Sequence, residues 1–180
     1  MIGLDFSDNF DLFWRYYFGG DIGYSFFEAP GSNSITPREV FPWQAFGGLA
    51  YQVGDLRNLE FFIGAGYSTE FYQRLIGVET YTMEKTHSVR AHLGLTYRFI
   101  SLVGATAQLM LRYSLPVLRV THFNEPLYFN GIIDATLRWR FHYDSDWSLF
   151  GGIRFEDYET AGESITYFNT RIHAGLGIHF

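Results

Sequence analysis

Between residues 88 and 99 every second side chain is apolar. Val89, Ala91, Leu93, Leu95, Tyr97 and Phe99 alternate with Arg90, His92, Gly94, Thr96 and Arg98. A period of two belongs to an extended strand, whose successive side chains leave opposite faces. Such a strand has one oily face and one polar face, so its neighbours must repeat the pattern in register or expose the wrong side. The chain does repeat it, and no helical period of 3.6 competes.

Eight segments carry the alternation. The first spans 10–27, with Leu12, Trp14, Tyr16, Phe18, Ile22, Tyr24 and Phe26 opposing Arg15, Asp21 and Ser25. The second spans 43–53, the third opens at Leu59, and the fourth is 88–99. The fifth covers 102–115, the sixth 127–143 and the seventh 147–156. In the eighth, Ile172, Ala174, Leu176, Ile178 and Phe180 oppose Arg171, His173, Gly175, Gly177 and His179. Residues 1–9 are expected to form a segment ahead of the first strand. Gly, Pro and polar clusters place long loops near 28–42, 72–87, 116–126 and 157–165. The 72–87 excursion could extend its flanking strands as a protruding hairpin. The other connections, at 54–58, 100–101 and 144–146, are short.

Composition narrows the setting. A length of 180 residues suits one domain. Aromatic residues make up 20% and glycines number 19, a mixture that favours strands and crowded barrel interiors over helices. The longest apolar runs fall far short of the 18 residues a membrane helix needs. A net charge of −6 without a Lys/Arg run argues against nucleic acid as a partner. The absence of cysteine removes disulfides, thiol catalysis and cysteine metal sites together. The start, Met1-Ile-Gly-Leu-Asp-Phe6, has neither the basic nor the hydrophobic region of a signal peptide, so a mature sequence with an added or retained Met is expected.

The alternation of long and short connections, the eight segments and the terminal aromatic Phe180 resemble the small eight-stranded bacterial outer-membrane β-barrels of OmpA/OmpX type. That resemblance implies an all-β, antiparallel up-and-down transmembrane barrel over 1–180, in the outer membrane of a Gram-negative cell. Its short turns would be periplasmic and its longer loops external. Phe180 would be the signal read by the barrel-assembly machinery. The partners it implies are the lipid bilayer, lipopolysaccharide and other membrane proteins. The expected role is a structural or interaction scaffold, or an accessory subunit of a larger membrane assembly, with a lumen filled by side chains. Two readings from other classes compete: an outer-membrane lipid-modifying enzyme, and a soluble lipocalin-like barrel with its apolar face turned inward around a ligand. Against the soluble barrel, the polar face mixes Arg with Gly, Ser, Thr and Gln, and Lys85 is the one lysine. Solvated surfaces carry more Lys and Glu and less Gly.

The inward charges form the main candidate site. Counted from the turns, Asp21, Glu70, Arg90, Arg112, Asp134, Glu156 and Arg171 stand at similar heights. Neighbouring strands would then pair Glu70 with Arg90, Arg112 with Asp134 and Glu156 with Arg171, and Asp21 would meet Arg171 across the barrel closure. Buried charges need such partners. The inward histidines His92, His142, His173 and His179 lie at different heights, so no metal site is expected, and no cofactor motif occurs. For catalysis, His122 with Glu125, and His87 with Ser88 and Glu84, are the polar loop groups to weigh. Outer-membrane lipid A deacylases use His, Ser and Glu at the external rim, but here Asn124 stands where their motif has Ser. No catalytic residue is assigned, and a scaffold is expected rather than an enzyme.

Overall fold

The computed structural model describes residues 1–27, 38–53, 58–77, 80–100, 105–121, 127–141, 146–160 and 166–179. Eleven strands follow in chain order: β1 (Ile2–Asn9), β2 (Trp14–Ile22), β3 (Ser25–Phe27), β4 (Arg38–Val40), β5 (Trp43–Val53) and β6 (Leu59–Gly77). They continue with β7 (Thr80–Ile100), β8 (Thr106–Thr121), β9 (Leu127–Arg140), β10 (Trp147–Thr160) and β11 (Thr166–His179). Nine of them close a barrel in the order β1-β11-β10-β9-β8-β7-β6-β5-β2, while β3 and β4 form a separate two-stranded ribbon.

Nine strands correct the expected eight. The additional strand is β1, within the 1–9 segment expected to precede the barrel. Ile2, Leu4 and Phe6 point out and Gly3 and Asp5 point in, so these residues obey the same alternation as the rest. β1 pairs antiparallel with β2 along its whole length, from Ile2↔Ile22 to Asn9↔Arg15. It pairs parallel with β11 over four positions, Ile2↔Leu176 to Asp5↔His179. An odd strand count makes one parallel seam unavoidable, because all other neighbours run antiparallel. Met1 consequently lies beside Ala174, part-way up the wall, its amino group donating to the Ala174 carbonyl at 3.3 Å.

The strands also reach further than the sequence pattern indicates. The 72–87 excursion is the β6–β7 hairpin, paired out to Gly77↔Thr80. β8 runs through Pro116 to Thr121, with an irregular register where Val89 faces Leu118 and Arg90 faces Pro116. Proline donates no ladder hydrogen bond, so a shifted register is where a strand tolerates it. Arg38–Val40, inside the expected 28–42 loop, is strand β4. The first segment, expected to run unbroken over 10–27, breaks at Gly23, whose amide donates to the Pro42 carbonyl at 2.8 Å.

The short connections gather at one end, called here the turn end. There the backbone amides of Gln52, Arg98 and His179 donate to the carbonyls of Phe13, Asn58 and Asp146, which fastens three connections to neighbouring strands. The opposite, loop end carries the β6–β7 hairpin tip and the β3–β4 ribbon.

Burial is inverted relative to an ordinary core. Among the described residues the buried apolar side chains are Ala50, Phe62, Ala105 and Ile132, against sixteen buried polar or charged ones. The wall faces outward with Leu49, Ile63, Leu93, Leu111, Leu137 and Ile172, the last 83% exposed. Aromatic collars bound this belt. Trp14 packs on Tyr51 and Tyr97 on Phe99 toward the turn end, while Trp43 packs on Tyr67 and Tyr24 on Phe41 toward the loop end.

Gly131 marks a bulge in β9, where the partner register jumps between Asp157 and Tyr158. Its φ of +153° is a conformation side chains rarely adopt, and a Cβ there would lie 2.5 Å from the Tyr113 hydroxyl. Replacing Gly131 by alanine is therefore expected to cost about 1–3 kcal/mol. A lower urea midpoint for the refolded variant checks this, and an unchanged midpoint would mean the bulge relaxes freely.

Candidate functional site in the barrel lumen

Inward side chains divide the lumen into two halves. The loop-side half is crossed by charges. Asp134 on β9 is 1% exposed. It accepts from Arg154 Nε on β10 at 2.9 Å, from Arg112 Nη2 on β8 at 3.3 Å and from Thr136 Oγ1 at 2.8 Å. Arg154 Nη1 lies 3.8 Å from Glu156, and Arg171 Nη2 on β11 lies 3.6 Å from the same carboxylate. Arg171 also reaches across the barrel to donate to the Phe71 carbonyl on β6 at 3.0 Å. Arg154 donates to Gln44 Oε1 at 3.5 Å, and Gln44 Nε2 donates to Asp21 at 2.5 Å. The network thus spans β2, β5, β6, β8, β9, β10 and β11.

The expected pairs Arg112–Asp134 and Glu156–Arg171 are brought together here. The other two are not neighbours in register. β1 intervenes between β2 and β11, so Asp21 stands opposite Gly3 on one side and Gln44 on the other. Ser68 faces Ser88, which puts Arg90 opposite Gly66 and Glu70 opposite Thr86. Arg90 Nε donates to Ser88 Oγ at 3.0 Å, and Ser88 Oγ shares a 2.8 Å bond with Ser68 Oγ. The Glu70 side chain and Phe180 lie outside the described residues.

At mid-height the lumen is aromatic. Tyr17 Oη bonds His92 Nε2 at 2.7 Å, Tyr17 meets the Phe62 ring edge-on, and Phe46 meets His92 edge-on. The Arg112 guanidinium sits 5.4 Å over the Phe46 ring. Gly48 and Gly64 face each other across β5 and β6 and make room for this layer. A Cβ on either would come within 3 Å of the Tyr17 hydroxyl.

Below this layer the turn-side half holds a partly open cavity of about 560 Å³. Arg15 grips Glu60 with two hydrogen bonds, of 2.6 and 2.5 Å, and donates to Ser7 at 2.9 Å. Arg98 lies 3.6 Å from the same Glu60. Asp5 on β1 pairs with Arg138 on β9 at 2.5 Å, a chord that passes two intervening strands and fastens β1 to the far wall. The sequence puts Arg15 and Arg98 on the polar strand faces, and Arg138 and Arg140 alternate with Leu137, Trp139 and Phe141 in the same way, but no single strand shows that the four surround a space. Tyr17, Phe46 and Phe62 at inward positions beside inward glycines were the available signal.

The histidines stay separate, His173 near Thr136 at 3.4 Å and His179 on Ser148 at 2.9 Å. Among the described residues no three His, Asp or Glu side chains converge as metal ligands would. His87 and Ser88 leave opposite faces of β7. His87 bonds Tyr67 on the outer side, and Ser88 bonds Ser68 in the lumen, so they cannot act as base and nucleophile on one substrate. His122, Asn124, Glu125, His142 and the Glu84 side chain lie outside the described residues.

The fold and lumen define a closed, mostly antiparallel β-barrel with a polar interior and an apolar exterior. Compared with family models, with curated proteins and with solved structures, the chain matches none.

Proposed function

We propose that the chain is an integral outer-membrane β-barrel whose role is structural: a scaffold, or an accessory subunit of a larger membrane assembly, that contacts partners through its wall or its loop end. The carrying observation is the inverted burial, with charge inside and an aliphatic belt outside. In water that belt would be a very large exposed apolar patch. In lipid it meets its preferred solvent, and closure pairs the strand edges of the wall except, among the described residues, along β11 before Ala174, where β1 has ended. The collars fit the same reading. Trp43 and Tyr51 are eight residues apart on β5, which at ~3.3 Å per residue and ~40° tilt is roughly 20 Å along the axis, close to an apolar band of ~25 Å. A lipocalin-type barrel would turn its apolar faces the other way.

The interior favours a scaffold over a pore. The charge network and the aromatic layer stand in series across the lumen, above the turn-side cavity. Planar-bilayer recordings of the refolded protein are expected to contain no large, steady single-channel current. Sustained conductance through the unmodified protein would make it a pore. Loss of an acyl chain from lipid A in expressing cells would make it an enzyme.

A further inference from the structure

We propose that the turn-end cavity binds a small organic anion, its carboxylate or phosphate held by Arg98 and Arg140 and its apolar body laid against the Tyr17–Phe46–Phe62 layer. At about 560 Å³ the space lies within the range of small-molecule pockets. Its charge is opposite to that of the chain: five arginines and three carboxylates line it, although the protein carries −6 overall.

The arginines are unequally compensated. Glu60 is already held by both ends of the Arg15 guanidinium, and Arg98 approaches it only at 3.6 Å. Asp5 is taken by Arg138, and Arg112 turns to Asp134 above. Arg140 feels the Asp5 and Asp146 carboxylates, but no ion pair to it is formed among the described residues. Arg98, Arg138 and Arg140 sit on β7 and β9 either side of Gln108 and Thr106 on β8, so the surplus charge forms one arc on the cavity wall. The Arg112 guanidinium borders the same cavity, and its Nε donor has no hydrogen-bond partner among the described residues. Guanidinium groups suit carboxylate and phosphate because their donors form a planar fork. The aromatic layer adds selection for an anion with an apolar or aromatic body over a bare inorganic one.

This inference does not depend on what surrounds the outer wall, so it is tested on folded protein in uncharged detergent at low salt. Phenyl phosphate and benzoate are titrated calorimetrically, with inorganic phosphate and benzyl alcohol as head-only and body-only comparisons. Saturable 1:1 binding of at least one aromatic anion is expected, about tenfold or more tighter than either comparison. Arg98→Gln with Arg140→Gln should weaken it at least about tenfold, while Lys85→Gln, on the exposed β7 surface, should not. Single Arg140→Gln serves if the double variant fails the heat-shift test of folding. No saturable binding up to about 10 mM, equal affinity for inorganic phosphate, or binding indifferent to Arg140 would each overturn the proposal.

Discussion

Replacing Asp134 by asparagine is expected to lower the unfolding free energy by about 3–5 kcal/mol, the usual cost of removing one partner from a buried ion pair. Asp134 is bonded by both Arg112 and Arg154. Its removal leaves two guanidiniums facing each other in a lumen too crowded to hydrate them fully. The measurement is the urea midpoint of the refolded protein, followed by the faster gel migration of the folded form. Adding Arg112→Met and Arg154→Met should recover part of the loss, because replacing all members of a buried ionic group by apolar ones is often neutral. A loss under about 1 kcal/mol would mean that water reaches the network and that the loop-side half is open.

An arginine in place of Leu93 is expected to cost about 2–4 kcal/mol, as a cation does on the lipid face at the midplane of a barrel. Leu93 is 54% exposed, and it stands midway between the collars, opposite Ile63 on β6 and Tyr113 on β8. The same change at Phe99, in the turn-end collar, should cost about 0–1 kcal/mol. Position decides this comparison, since both side chains are exposed. On a water-facing wall each substitution would fall within about 0.5 kcal/mol of zero. The contrast between the two sites, read as unfolding free energies in lipid vesicles, separates hydrocarbon from water as the surrounding solvent.

The faces of the strands were legible because a period of two is a property of single strands. Leu93 and Arg90 reveal their sides without reference to any neighbour. What depends on pairing was not legible. β1 has the alternation of Ile2, Leu4 and Phe6, yet the connection after it holds neither Gly nor Pro, and its turn-forming Asp8, Asn9 and Asp11 are interleaved with Phe10, Leu12 and Phe13, so the reversal is easily read as continuing strand. With β1 overlooked, the closure was drawn between β2 and β11, and Asp21 was set against Arg171. Counting from the turns placed Arg112 beside Asp134 because β8 and β9 keep an even register there. It misplaced Glu70 and Arg90 because the β6–β7 register sets Ser68 against Ser88. The bulge at Gly131 and the shift at Pro116 are likewise products of two strands at once. The cavity was the least visible feature, since an empty space follows from how Tyr17, Phe46 and Phe62 stack above it and not from any one position.

The central claim, that the apolar wall is made for lipid, is tested most directly by insertion. The urea-unfolded chain is diluted into phosphatidylcholine vesicles, and the vesicles are floated through a density gradient after a carbonate wash. The protein is expected to float with the lipid, resist extraction, and migrate faster unheated than boiled. A chain that instead folds in plain buffer without lipid or detergent, stays monomeric and remains at the bottom of the gradient would contradict the account.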